Sequence, residues 1–150
     1  SIKEQWSIVG DTYILGHPLP KTLVYSEFNN LANKENNKSI YDKHCGLNNC
    51  YITYGHDEYL YNILLSNKTK LPKEALYIIR YHSLYTWHKN REYTELQNEY
   101  DKTMKGYVKL FNLSDLYSKN SKIYSDMEIN ELNKYYQQII DKYLPKYMFY

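Results

Sequence analysis

Two histidines and one aspartate have the residue types and the positions that a metal site needs. His56 precedes a helical pattern, His82 lies near the end of the next pattern, and Asp115 follows a third. Imidazole nitrogens combined with a carboxylate form catalytic iron sites that leave coordination positions open for substrate and oxygen. In helical proteins such ligands are gathered from facing helices. A single histidine beside an apolar helix face more often belongs to the core or the surface, so spacing alone leaves both interpretations open.

Other candidate side chains have simpler explanations. Asp57 follows His56 directly, but adjacent helical residues point about 100° apart. Asp57 therefore fits a carboxylate favoured by the helix dipole better than a second ligand of the same ion. A structural zinc site at His44, Cys45 and Cys50 lacks a C-x-x-C pair. A serine hydrolase is disfavoured because the sequence contains no G-x-S-x-G elbow.

Composition limits the kind of protein. A chain of 150 residues with 43% apolar residues can bury the core of one domain. The net charge of +2 argues against nucleic acid or an anionic membrane as the main partner, because both select clustered positive charge. No signal peptide or run of about 18 apolar residues is visible. The two cysteines show no disulfide framework, so we expect a cytoplasmic location.

Periodicity predicts a mainly α-helical chain. Residues Ser1 to Val24 are expected to be irregular or extended, and Asn29 to Lys38 to form a polar loop. Apolar residues at helical spacing predict four helices: one from about Tyr59 through Leu65, one from Pro72 to His82, one from Glu92 to Phe111 and one from Glu128 to Leu144. Trp87 and His88, between the second and third helices, are expected to pack into the core.

Eight short segments, taken in order, resemble inositol oxygenases. They are WSIVGDT at 6–12, HCGL at 44–47, GHDEY at 55–59, PKEA at 72–75, IRYHS at 79–83, YTWH at 85–88, FNLSDLY at 111–117 and IDKY at 140–143. The resemblance extends through nearly the whole chain, and the series as a whole is far more specific than any one segment. It implies an all-helical fold of the HD-domain type, in which residues 1–150 form the C-terminal part of a single domain.

The resemblance also implies a chemistry and a set of iron ligands. The family reaction is the oxygen-dependent ring cleavage of myo-inositol to D-glucuronate at two non-haem irons bridged by a carboxylate. By motif, His56 and His82 match the two histidines on the iron that chelates the substrate, and Asp115 matches a carboxylate ligand of the other iron. A complete family member is expected to be monomeric.

Four further positions match residues that contact the polyol in the family: Gly10, Asp11, Ser83 and Lys119. A backbone N–H, a carboxylate, a hydroxyl and an ammonium provide the mixed donors and acceptors that a ring of six hydroxyls requires. The remaining family ligands, one isolated histidine and a His-Asp pair, lie upstream of the segment at 6–12 and have no counterpart here. We therefore expect this chain alone neither to hold two irons tightly nor to oxidise inositol, and we expect it to expose apolar surface.

Two other functions stay open at this stage. The chain could be a degenerate, non-catalytic helical domain that retains a partial site for a metal and a polyol. A phosphohydrolase of the wider HD-type group is disfavoured, because the sequence has no upstream His-Asp pair and its matches are specific to the inositol enzyme.

Overall fold

The computed structural model of the chain describes residues 12–23, 38–115 and 123–150. Within these ranges the regular structure is helical, with a short 3-10 turn at Leu47–Asn49. The helices are α1 (His56–Ser66), α2 (Lys73–Tyr81), α3 (Tyr85–His88), α4 (Glu99–Asp115) and α5 (Asp126–Tyr143). Extended pairing among the described residues is limited to one isolated antiparallel bridge between Ile14 and Ile52. The predicted all-α class is confirmed.

The first two helices form where periodicity predicts them. The first turn of α1 carries Asp57 and Glu58, whose negative charges favour a helix N-terminus. Pro72 is the N-cap of α2 with a φ of −63°, and a proline lacks only an N–H that has no helical partner at this position. Helical hydrogen bonding continues to His82, whose N–H donates to the Ile78 carbonyl at 2.9 Å. Helix α2 packs against both α1 and α4.

The third predicted helix begins later than expected. Periodicity placed its start at Glu92, whereas α4 begins at Glu99. Arg91 and Tyr93 have φ values of 65° and 59°, which a right-handed helix cannot contain. The helix starts instead where Asn98 and Asp101 bond reciprocally, each side chain accepting from the backbone N–H of the other. This is the arrangement of a capping box.

Helix α3 is a single turn that the periodicity did not predict, and it places Trp87 at the centre of the core. The Trp87 ring is fully buried, and its Nε1 donates to Gln97 Oε1 at 3.2 Å. The expected packing of Trp87 and His88 is confirmed, because both side chains are buried. The surrounding core unites side chains from α2, α4 and the loops between helices: Leu47, Tyr77, Tyr81, Leu84, Tyr93, Leu96, Met104 and Val108.

The described part of the N-terminal segment is irregular, as predicted. Leu15 N–H donates to the Tyr51 carbonyl at 2.8 Å, and Thr53 N–H donates to the Tyr13 carbonyl at 3.0 Å. These bonds attach residues 13–15 to the chain just before α1. Residues 1–11 and 24, and the predicted loop from Asn29 to Lys38 apart from its last residue, lie outside the described ranges.

Helix α5 forms as predicted, with its start two residues earlier. Its N-terminus is fixed by Ser125 and Glu128, which form a capping box. Its last residue is attached to the loop between α1 and α2, because the Tyr143 carbonyl accepts from Lys70 N–H at 2.8 Å and from Thr69 Oγ1 at 2.9 Å. Most of its apolar stripe is exposed: Ile129, Leu132, Tyr136, Ile139 and Ile140. The expected exposure of apolar surface is therefore observed on this helix. None of the helices in the described ranges is long and apolar enough to cross a membrane.

Asp101 connects three parts of the core. Its carboxylate is 1% exposed and accepts from Leu47 N–H, from Asn98 N–H and from the Tyr77 hydroxyl, all within 2.9 Å. One side chain thus joins the 3-10 turn, the start of α4 and the middle of α2. Burial and the charge of Asp101 together raise the pKa of Tyr77, so that its hydroxyl stays a donor.

We expect Asp101→Ala to lower the free energy of unfolding by about 3 kcal/mol, because it leaves buried donors without an acceptor. Asp101→Asn should cost less, since an amide oxygen can still accept from the two backbone N–H groups. Asp115→Ala removes the same charge from the exposed end of the same helix and is the control. Urea denaturation of the metal-free protein measures all three, and equal stability of the two alanine variants would contradict this role for Asp101.

Candidate metal centre

The fold brings two of the three predicted metal ligands into contact. His56 is the first residue of α1, and His82 follows the last residue of α2. Their Nε2 atoms are 3.1 Å apart, and the ring planes are inclined at 77° with centroids 5.1 Å apart. Two nitrogens that each bind a metal at about 2.1 Å at right angles are roughly 3.0 Å apart. The separation of the pair matches that of two nitrogens on one ion, and it is also the length of an N–H···N hydrogen bond between the rings.

The tautomer of His82 also suits a ligand. Its Nδ1 lies 2.9 Å from the Ile79 carbonyl oxygen, which can only accept, so Nδ1 carries the hydrogen. In the neutral ring this leaves the lone pair on Nε2, the atom that faces His56. A ligating histidine commonly has its other nitrogen fixed by a carbonyl in this way, which sets the direction of the ring.

The backbone and the ring of His82 are held by residues that the sequence did not single out for this purpose. The His82 carbonyl accepts from His88 Nε2 at 3.0 Å and from Asn112 Nδ2 at 3.3 Å. The Phe111 ring packs edge-on against the His82 ring, with centroids 5.8 Å apart. Burial lowers the pKa of His88, so its ring is neutral and donates through Nε2. His88 lies in the resembling segment at 85–88, and Phe111 and Asn112 lie in the one at 111–117, but neither segment indicates contact with His82.

Ser83, predicted to contact substrate, lies beside the histidine pair. Its Oγ is 3.2 Å from His56 Nε2. A hydroxyl can either donate to a nitrogen or accept from it, so Ser83 can bond to His56 or to a ligand placed next to it. The structure thus places three of the predicted site residues, His56, His82 and Ser83, within direct contact of one another.

Asp115 is the last residue of α4 and is exposed. Its charge acts on Tyr85: burial raises the pKa of that phenol, and the nearby carboxylate raises it further. Across the described ranges, no group of three or more His, Cys, Asp or Glu side chains is arranged to hold a metal ion. Asp115 is therefore not gathered with the two histidines here, and its assignment as a ligand stays a prediction. Gly10, Asp11 and Lys119 lie outside the described residues.

Asp57 is occupied by protein donors. The side chain is 1% exposed, and its Oδ2 accepts from the Thr12 hydroxyl at 3.2 Å while Oδ1 accepts from Glu58 N–H at 2.9 Å. This fits the interpretation of Asp57 as a carboxylate at a helix N-terminus rather than as a partner of His56 in a metal-binding pair. It also links α1 to the residue that follows the predicted substrate-binding Gly10 and Asp11.

The residues considered for zinc are arranged for other contacts. His44 Nδ1 is 3.1 Å from the Gln97 carbonyl, and Cys45 and Cys50 are free thiols with sulfurs 3.7 Å apart. Burial raises the pKa of Cys50 to about 12, which keeps that thiol protonated near neutral pH. Since the thiolate is the form that binds metals, Cys50 is a poor ligand in this fold.

Fold and site together define a helical domain in which the ends of two packed helices present a pair of imidazoles. The family model for Myo-inositol oxygenase matches residues 1–150, and the chain belongs to that family. It is 43% identical over 147 residues to an inositol oxygenase of Dictyostelium discoideum, 40% over 148 residues to that of Danio rerio and 38% over 148 residues to that of Homo sapiens. Each match covers 94% of this chain but only 49%, 52% and 51% of the relative. The chain thus spans about half the length of the curated relatives it matches.

We expect Thr12→Val to lower the free energy of unfolding by about 1–2 kcal/mol, because the variant keeps the shape but removes the hydroxyl that satisfies the buried Asp57. Thr103→Val is the control, since that exposed hydroxyl bonds only to the Glu99 carbonyl within α4. Thermal denaturation followed by circular dichroism measures both. If the two variants are equally stable, the Thr12–Asp57 bond does not hold the N-terminal segment in place.

Proposed function

We propose that this chain contributes two iron ligands, His56 and His82, to a non-haem di-iron centre that cleaves myo-inositol with O2 to D-glucuronate. The observation that carries the proposal is the 3.1 Å separation of the two Nε2 atoms, with the tautomer of His82 fixed for ligation. Family membership supplies the reaction, because the relatives are inositol oxygenases.

The residues near the pair can bind and orient a polyol. A bound metal would act as a Lewis acid, lowering the pKa of a coordinated hydroxyl. The Ser83 hydroxyl, next to His56, is placed to bond to a substrate oxygen that approaches the same position. We assign Gly10, Asp11 and Lys119 to the remaining polyol contacts by their match to the family pattern, with the Lys119 ammonium balancing negative charge on the substrate side.

We further propose that these 150 residues do not complete two iron sites. The histidine pair provides two nitrogens and Asp115, by its match to the family pattern, one carboxylate, whereas two irons need a larger ligand set. The relatives are about twice as long as the part that the chain matches, which leaves room for the further ligands in their other half. The chain by itself should hold metal weakly at His56 and His82, with water at the other positions.

The test compares this chain with a version extended upstream along its transcript. We expect the extended protein to contain two irons per chain by elemental analysis and to consume oxygen when myo-inositol is added. The 150-residue chain should do neither. In the extended protein, His56→Ala and His82→Ala should abolish oxygen uptake and reduce the iron content. His44→Ala is the matched control, because His44 bonds to Gln97 and not to the pair.

Each outcome decides between the candidates. Full turnover by the 150-residue chain would contradict the proposed incompleteness. A folded extended protein without iron or oxygen uptake would favour the non-catalytic binding domain, and phosphate-ester hydrolysis without inositol consumption would favour the phosphohydrolase.

A further inference from the structure

A second connection joins α1 to α2 close to the histidine pair. Arg80 Nε lies 2.6 Å from Glu58 Oε2, and Arg80 Nη2 lies 3.0 Å from Glu58 Oε1, so the guanidinium and the carboxylate form a bidentate pair. Their side chains are only 10% and 14% exposed. An ion pair this shielded and this well aligned constrains geometry far more than an exposed one does.

The positions of these two residues relate them directly to the histidines. Glu58 lies two residues after His56, and Arg80 lies two residues before His82. Two residues along an α-helix correspond to a rotation of about 200°. On each helix the charged residue therefore lies on nearly the opposite side from the histidine. The ion pair and the imidazole pair thus lie on the two sides of the contact between α1 and α2.

Arg80 is itself held in place from other sides. Its guanidinium lies over the Tyr61 ring, 4.8 Å from the centroid, and Nη1 is 3.4 Å from Asn48 Oδ1. The Tyr81 hydroxyl donates to the same Asn48 oxygen at 3.1 Å. These contacts fix the plane of the guanidinium. A lysine at this position has a single ammonium group and cannot form the same two parallel hydrogen bonds to Glu58.

A constraint of this kind is needed because both histidines lie at helix ends, which fray. Gly55, the N-cap of α1, contributes no side-chain hydrogen bond, and His82 is the C-cap of α2. Movement of either end, or rotation of either helix about its axis, would separate two nitrogens that must stay about 3 Å apart to share an ion.

We propose that the Glu58–Arg80 pair is a positioning clamp that sets the distance between the imidazole nitrogens of His56 and His82. Glu58 and Arg80 are positioning residues that act through the two helices. The value of the clamp for metal binding rests on the function proposed above, but its effect on the distance between the rings does not.

The first test needs no metal. The rings of His56 and His82 are close enough for nuclear Overhauser effects between their carbon-bound protons in the 150-residue chain. These cross-peaks should be present in the wild type and lost in Glu58→Gln and in Arg80→Lys, at a temperature where circular dichroism shows each variant folded. Glu99→Gln is the matched control, because it makes the same charge change in the exposed Lys102–Glu99 pair.

The second test measures Co²⁺ binding through the visible absorption of the ion. Loss of a residue that orients metal ligands typically costs about 10- to 100-fold in affinity, and we expect a loss of this size in Glu58→Gln and Arg80→Lys but none in Glu99→Gln. In a His82→Ala background the two-nitrogen chelate is gone, so Glu58→Gln should have no further effect on affinity. A merely stabilising role would give the same change in both backgrounds.

The outcomes separate this proposal from the proposed function. If the folded Glu58→Gln and Arg80→Lys variants keep the cross-peaks and the Co²⁺ affinity, the clamp is wrong, whatever the extended protein catalyses. If the cross-peaks depend on Glu58 but the wild type takes up no Co²⁺, the clamp is supported and the metal role fails. Arg80→Lys keeps the net charge and serves for the comparison if Glu58→Gln does not fold.

Discussion

The packing of α1 against α2 creates the candidate site, because each helix contributes one of the two imidazoles. Residues 67–72 connect the two helices, and the Tyr143 carbonyl at the end of α5 accepts two hydrogen bonds from this loop. At the start of α1 and the end of α2, away from this loop, the Glu58–Arg80 pair and the His56–His82 contact fix the distance between the two helices. Tyr77 of α2 lies in the core, where its hydroxyl donates to the buried Asp101 of α4.

The carboxylates near this region already accept hydrogen bonds or form an ion pair within the protein. Asp57 accepts from Thr12 and its own helix, Glu58 is paired with Arg80, and Asp101 accepts three hydrogen bonds. A buried carboxylate that satisfies protein donors gives up those bonds if it turns to a metal, which costs several kcal/mol (roughly 3–5) for a broken buried pair. Among the described side chains near the start of α1, an ion would therefore meet the imidazoles of His56 and His82 and the Ser83 hydroxyl rather than these carboxylates.

Much of this architecture could be predicted from the sequence. Helical periodicity located α1, α2 and α5, because each has an apolar repeat at helical spacing, and Pro72 marks the start of α2. The predicted start of α4 was wrong because Tyr93, which fits the helical pattern of apolar residues, has a left-handed backbone conformation. Tyr93 is held there by its position in the core, where its hydroxyl accepts a hydrogen bond from Ile14 N–H. The resembling motifs matched His56 and His82 to ligands of one iron, and the structure brings the two rings into contact. The Glu58–Arg80 pair joins residues from different helices, and no local pattern specifies which of the many charges on these helices will meet.

A hydrogen bond joins the two rings of the histidine pair. Since His82 keeps its hydrogen on Nδ1, the 3.1 Å contact requires His56 to donate from Nε2. Ligation through both Nε2 atoms would require that hydrogen to leave His56 Nε2, either to solvent or by a change of tautomer to Nδ1, while the two rings keep their separation. The two histidines are consequently unequal: His82 is fixed by Ile79, His88 and Asn112 and acts as the anchor, whereas the described contacts of the His56 ring are with His82 and Ser83. Of the two rings, that of His56 therefore has fewer described contacts to prevent it from turning, and the Ser83 hydroxyl beside it can accept or donate.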